Sequence, residues 1–350
     1  MLVFIGLVMV FSSSGIYAME KYNDPYYFLK RQAMWVALGT VIMLTMRKID
    51  YRYMEKYTYL IMGTSFLMLI AVMMPGLGKE VGGARRWLTL GGLTFQPSEL
   101  AKFALVLFIA KSLVKRSDQL KNFAYGYLPK LIVLGFFFVP ILFQPDFGTA
   151  MIICTVTFSM LMIAGLRTKF LVYSVLAIIP FIVAAIMGAE YRTRRILAFL
   201  DPWQDPSDTG FQAIQSFYAF GRGGIFGSGI GASSQKLFYL PEAHTDFIFS
   251  VIGEELGFIG TLIIVLLFSV LIWRGFVIAY RAKDSFGAHV AIGLTLLLGI
   301  QAFVNMGVAV GLLPTKGLTL PFISMGGSSL LVLMLSMGVL LNISEQPVQR

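Results

Sequence analysis

Charge is scarce in this sequence. Asp, Glu, Lys and Arg together make up 13% of its 350 residues, against 57% hydrophobic residues. Average soluble domains carry about 25% charged residues, so the deficit excludes an ordinary soluble protein. Cysteine is almost absent too: the single Cys154 lies inside an apolar run, which rules out a disulfide framework and a Cys-based metal site. Only two histidines occur, His244 and His289, and their separation gives no metal motif. No Walker loop is present, so nothing points to a chain that runs on ATP. Long repeats and low-complexity segments are missing as well. No polar block exceeds about sixty residues, so no separate soluble domain is expected.

What the chain does have is long apolar runs. A membrane-spanning helix needs about twenty mostly apolar residues. Ten such runs are read, at 2–18, 32–46, 57–74, 98–114, 128–143, 147–166, 170–188, 246–273, 287–311 and 321–342. This predicts an all-α polytopic membrane protein, a single transmembrane domain over residues 1–350. A large extracytoplasmic loop, 189–245, would join the seventh and eighth helices. The first run ends in Gly15-Ile16-Tyr17-Ala18, as a signal peptide can, but it lacks a basic leading segment. It is therefore read as a span.

The formal charge is +10, from 28 basic and 18 acidic residues. The basic residues are scattered between apolar spans, which argues against nucleic acid and leaves anionic lipid or an anionic substrate. Lys and Arg favour the cytoplasmic side. With the N-terminus inside, fifteen of the 28 face inward, twelve face outward, and Lys102 falls within a span. The bias supports both termini inside. Eight of the twelve outward residues lie in the loops 75–97 and 189–245. An anionic ligand on the outer face is one reason to hold them there. Balance against Glu190, Asp201, Asp205, Asp208 and Glu242 is the other.

Several constellations could carry chemistry. Arg85-Arg86-Trp87 either anchors the interface or offers guanidinium groups to a phosphate. Gln96-Pro97-Ser98-Glu99 starts a helix on which Glu99 and Lys102, three residues apart, enter the membrane together as a charge pair. Asp146 is a helix cap or a site residue. Residues 211–220 read as a short amphipathic helix carrying Gln212 and Gln215, followed by six glycines in the eleven residues from Gly221 to Gly231. That run is either a phosphate cradle or a flexible loop. Gly253 and Gly257 make a small face for helix approach, flanking Glu254 and Glu255, which are expected to pair with other helices, Lys102 being one possible partner. Asp246, at the junction of the large loop and a long apolar helix, is either the cap of that helix or a catalytic carboxylate. His244 beside it is a base or simply polar.

Taken together, Arg85-Arg86-Trp87, Gln96-Pro97-Ser98-Glu99, Pro145-Asp146-Phe147-Gly148-Thr149, Pro241-Glu242 with His244-Thr245-Asp246-Phe247-Ile248-Phe249, and Gly326-Gly327-Ser328-Ser329 resemble the SEDS family (shape, elongation, division and sporulation). The resemblance runs in order over nearly the whole chain. Gly253-Glu254-Glu255-Leu256-Gly257 and 311–321 are more similar to its cell-division members, while Met325 stands where the family usually has Tyr. The resemblance implies a peptidoglycan glycosyltransferase that polymerises lipid II at the outer face of the bacterial cytoplasmic membrane, with Asp246 as general base. Candidate substrate contacts are Arg85, Arg86, Trp87, Asp146, Arg192, Arg194, Arg195, Gln215, Lys236, His244, Thr245, Lys316, Ser328 and Ser329. The resemblance also implies a class B penicillin-binding protein and other divisome proteins as partners. A divalent cation, Mg or Mn, could share the task of balancing pyrophosphate. Two other classes use the same features: a flippase of lipid-linked precursor, or a scaffold for the penicillin-binding protein.

Overall fold

The apolar runs fold as helices. The computed structural model describes residues 1–81, 83–90, 93–115, 119–188, 190–233, 243–315 and 317–346. In chain order these form α1 (Leu2–Tyr22), α2 (Tyr27–Lys48), α3 (Arg52–Ala71), β1 (Gly78–Val81), β2 (Ala84–Leu90), β3 (Leu93–Phe95), α4 (Pro97–Lys115) and α5 (Leu128–Phe143). There follow α6 (Phe147–Ile163), α7 (Thr168–Met187), α8 (Glu190–Leu200), α9 (Phe211–Gly223), α10 (Ile248–Tyr280), α11 (Ser285–Ala309) and α12 (Gly327–Glu345). Each apolar run read from the sequence lies over one of the longer helices. Among the described residues, five helical stretches are long and apolar enough to cross a membrane: Leu2–Tyr22, Phe123–Phe143, Ile248–Tyr280, Ser285–Ala309 and Gly327–Glu345. The protein is an integral membrane protein. The last helix begins at Gly327 rather than at 321, because residues 321–326 turn before it.

One feature corrects the all-α expectation. Residues 78–95 form a three-stranded antiparallel sheet in the order β1-β2-β3. Leu88 pairs with Gly78 on one side and Phe95 on the other, and a bulge lies between Lys79 and Glu80. The signal is legible in hindsight: Gly82-Gly83 and Gly91-Gly92 flank a stretch holding Trp87, Leu88, Thr89 and Leu90. Paired glycines between β-favouring runs mark hairpins.

The chain groups into two compact units. The first comprises Met1–Val36, Ser174–Val270 and Gln301–Gly326; the second comprises Ala37–Tyr173, Leu271–Ile300 and Gly327–Arg350.

In the first unit, α10 is not one continuous helix. It runs for 33 residues, but Gly257 adopts φ 67° and ψ −166° inside it. Only glycine takes such a conformation without strain. In a straight helix the amides of Phe258 and Ile259 would bond the carbonyls of Glu254 and Glu255. Instead all four groups meet the glycine-rich loop. Phe258 N donates to Gly224 O (2.9 Å) and Ile259 N to Ile225 O (3.2 Å). The Glu254 carbonyl accepts from Ser228 N and the Glu255 carbonyl from Gly229 N (2.9 and 3.0 Å). The approach is close. A Cβ on Gly227, at φ +81°, would sit 2.2 Å from Glu255 O, and one on Gly223 would sit 1.9 Å from Gly253 O. The glycine run is therefore not a loose loop: its backbone is fixed to the break in α10. Gly253, on the other flank, admits the Phe220 ring of α9.

The second unit is tied at its α2–α3 turn. Asp284 accepts from Tyr51 Oη (2.7 Å), Gly287 N (2.8 Å) and Arg52 Nε (3.2 Å). Asn342 of α12 accepts from Tyr51 N and donates to Arg47 O (2.9 and 2.7 Å). Burial pushes the Asp284 carboxyl up, but the Gly287 amide, the Tyr51 hydroxyl and the Arg52 guanidinium outweigh it and hold its pKa below the ordinary value.

Two expected outcomes follow from these contacts. Gly227→Ala and Gly257→Ala should each cost at least about 2–3 kcal/mol through strain and backbone clash. Gly221→Ala, with open space around its Cβ position, should be close to neutral; thermal unfolding in detergent compares the three. Because the Asp284 pKa is depressed on folding, its stabilisation is complete above the unfolded value of about 3.9 and fades as pH falls through the folded one. Asp284→Asn should thus lower the unfolding midpoint at pH 7, and its difference from the natural chain should shrink below about pH 4.

Candidate functional site

The turn that carries Asp246 belongs to the first unit. The α10 helix begins at Ile248, so Phe247 holds the cap position and Asp246 precedes it. Three consecutive carbonyls of this turn are held in place. His244 O accepts from Met325 N (3.0 Å). Thr245 O accepts from the Ser324 hydroxyl. Asp246 O accepts from Asn305 Nδ2 (2.8 Å), and the same amide also donates to Leu318 O (2.6 Å). The Asp246 carboxylate faces the segment before Leu318: a Cβ on Gly317 would lie 3.1 Å from Asp246 Oδ2. Asp246, His244 and Thr245 are half-buried. The His244 ring packs against Phe28 and Tyr17, with centroids 4.8 and 6.0 Å away.

Beneath this turn lie the two glutamates of α10, both fully buried. Glu254 Oε1 stands 3.7 Å from Arg222 Nε of α9, and its Oε2 accepts from the Ser233 hydroxyl. Glu255 accepts from Ser12 of α1, at 2.7 Å from either oxygen. Their partners are thus Arg222, Ser233 and Ser12. Lys102, the partner suggested from sequence, is instead engaged with Glu99.

A second polar cluster belongs to the second unit. Asp146 caps α6, with Oδ1 accepting from Thr149 N (3.1 Å), while Oδ2 accepts from Gln96 Nε2 (3.2 Å). Arg86 donates to Gln144 O (2.8 Å) and Pro145 O (2.6 Å). It therefore satisfies carbonyls at the end of α5, where a cation also suits the helix dipole. Arg85, exposed on β2, lies 3.3 Å from Glu80, a pair worth about 0–1 kcal/mol at such exposure. Ser328 accepts from Gln96 N (3.0 Å) and donates to Thr94 O (3.3 Å), pinning the start of α12 to the β3–α4 corner. Ser329 beside it is buried, and Trp87 is half-buried on β2. Lys102 donates to Glu99 Oε1 at 2.8 Å with both side chains buried. Lys102, Thr157 and Met160 also line a cavity with room for about one water molecule.

The structure thus brings together Asp246, His244 and Thr245 in one unit, and Arg86, Asp146, Gln96 and Ser328 in the other. Arg194 is exposed and Gln215 half-buried on α9. Lys236, Lys316, Glu242 and the side chains of Arg192 and Arg195 lie outside the described residues. Sequence reasoning missed Asn305, Ser324 and Ser12, polar residues in apolar surroundings, and that contrast was the signal available. Among the described residues no group of three or more His, Cys, Asp or Glu is placed to hold a metal ion.

Comparison with known proteins turns this arrangement into a class. The model of the FtsW/RodA/SpoVE family, described as cell cycle proteins, matches residues 1–349, and the chain belongs to that family. It is 48% identical over 341 residues to the probable peptidoglycan glycosyltransferase FtsW of Geobacter metallireducens, covering 97% of this chain and 91% of that one. It is 43% identical to the stage V sporulation protein E of Bacillus subtilis, over 99% of this chain and 94% of the relative. Among solved structures it superposes with TM-score 0.78 and 31% identity on a chain of a peptidoglycan synthase complex that coordinates polymerization and crosslinking, covering 100% of this chain and 98% of that one.

Replacing Arg86 by Ala should destabilise the protein by about 1–3 kcal/mol, since it strips donors from two carbonyls. Lys at that position should recover less than half of the loss, because an ammonium lacks the planar fork that reaches both oxygens. Unfolding midpoints of the three chains measure this.

Proposed function

We propose that this chain is a peptidoglycan glycosyltransferase that polymerises lipid II at the outer face of the bacterial cytoplasmic membrane during cell division. Family membership over residues 1–349 supports the activity, and the relatives named FtsW support the division role. The single observation that carries the chemistry is the Asp246 turn, whose carbonyls are fixed while its carboxylate faces Gly317.

In this reading the whole chain works as one domain of ten spanning helices with both termini inside, and the loop 189–245 lies outside. Asp246 acts as general base on the acceptor 4-hydroxyl. The acceptor oxygen attacks the anomeric carbon of the donor as the bond to undecaprenyl pyrophosphate breaks. Its proton passes to Asp246, and the α-linked donor becomes a β-linked unit by inversion. The leaving group departs with negative charge, which Arg85 and the outward basic residues Arg192, Arg194, Arg195 and Lys316 would offset. A divalent cation, when bound, would add to that charge balance. Crosslinking of the product falls to a class B penicillin-binding protein, a partner supported by the synthase complex that this chain resembles.

The test is lipid II polymerisation by the purified chain with its penicillin-binding partner. Asp246→Asn preserves shape but cannot serve as a carboxylate base. It should reduce polymer at least about a hundredfold, the scale of a lost general base, while folding and partner binding are kept. Arg85→Ala should weaken donor use with the fold intact. Full polymerisation by Asp246→Asn would refute the assignment, and lipid II movement across vesicles without polymer would favour a flippase.

A further inference from the structure

We infer that Asn305 and Ser324 are positioning residues for the Asp246 carboxylate, and that Gly317 is a glycine because a side chain there would occupy the space the carboxylate uses. The inference rests on the assignment of Asp246 as the base and extends it to the residues that aim it.

The observations converge on one short segment. The carbonyls of Thr245 and Asp246 are each bound by a side chain from a distant stretch of sequence, Ser324 and Asn305, and that of His244 by the backbone of Met325. A turn held at three successive peptide units has little freedom to reorient, so the Cα–Cβ bond of Asp246 keeps one direction and the search of its carboxylate is confined to rotation about the side chain. Preorganisation of this kind is what a base must have to meet a hydroxyl at hydrogen-bond range. Ser324 is itself fixed: its Oγ also accepts from Leu320 N (2.8 Å), and its carbonyl accepts from Gln32 Nε2 (3.2 Å).

Asn305 adds a second argument. It is 1% exposed, and its amide nitrogen serves two carbonyls while, among the described residues, its buried Oδ1 has no hydrogen-bond partner. An unsatisfied buried acceptor costs stability. An apolar residue of that size would remove this cost but strip the donor from two carbonyls, so Asn305 is held by its donor pair. That pair couples the Asp246 turn to the segment at Leu318. One residue earlier, a Cβ on Gly317 would fall 3.1 Å from Asp246 Oδ2, closer than an ordinary van der Waals contact allows. No left-handed φ requires glycine at 317. A side chain there would instead have to push the carboxylate aside by a few tenths of an ångström.

The experiment uses the full chain with its penicillin-binding partner and fluorescent lipid II, resolving kcat from KM. Ser324→Ala and Asn305→Leu should each lower kcat at least tenfold with KM within twofold, and Ser324→Thr, which keeps the hydroxyl, should recover most of the rate. Gly317→Ala breaks no hydrogen bond and should still lower kcat tenfold with an unchanged unfolding midpoint, so a folding defect in Asn305→Leu does not decide the matter. Natural kcat in both Ser324→Ala and Gly317→Ala, beside an inactive Asp246→Asn, would overturn the positioning role while leaving the base assignment standing. Full activity of Asp246→Asn would overturn both.

Discussion

A backbone polar group in hydrocarbon must find a partner inside the protein, since an unsatisfied one costs several kcal/mol. That constraint shapes the first unit around one residue. By bending at φ 67°, Gly257 interrupts α10, and the loop from Gly224 to Gly229 supplies acceptors for Phe258 and Ile259 and donors for the carbonyls of Glu254 and Glu255. The glycines at 223, 227 and 257 follow from this single requirement, because each meets backbone at a distance that a Cβ would violate, while Gly253 admits the Phe220 ring. Broken helices at membrane depth occur where irregular backbone is covered by protein, and the loop provides that cover.

The break also explains why two carboxylates sit side by side in an apolar helix. A charge in hydrocarbon is tolerated when it has a specific partner. Glu254 faces Arg222 and Ser233, which flank the glycine loop on either side, and Glu255 takes the Ser12 hydroxyl of α1. Backbone bonds fix the loop at its middle, and Glu254 fixes it at its ends. The consequence for function is mechanical. The loop and the upper half of α10 form one braced body, and the Asp246 turn opens directly from that half.

Much of this was legible in sequence, and the part that was not has a common cause. Helix positions followed from runs of apolar residues, which record burial in lipid one residue at a time. The α9 helix was legible from its polar face, and the Gly253–Gly257 face was read as a place of close approach. What escaped were features defined by pairing across the chain. The sheet at 78–95 escaped because its strands are short and its apolar residues few. The role of the glycine run escaped because a cradle, a flexible loop and a backbone clamp share one composition. The backbone bonds of the loop to the Glu254 and Glu255 carbonyls identify the clamp, and the side-chain partner of Glu255, Ser12, lies 243 residues away. Asn305 and Ser324 escaped for the same reason: a polar residue in an apolar run announces a partner without naming it.

Two aspartates near helix starts, Asp146 and Asp246, could not be told apart by composition, since Asp is a favoured cap at either place. Geometry separates them. Asp146 is 5% exposed, holds the cap position of α6, and spends its two oxygens on Thr149 N and Gln96. Both bonds serve the start of α6 and its neighbour Gln96. Asp246 stands one residue outside the cap position of α10 and is half-buried rather than sealed. Asn305 and Ser324 bind the main chain of its turn. Bracing of the backbone fixes the point from which the Asp246 side chain starts, and that preorganisation suits the role of base proposed for it.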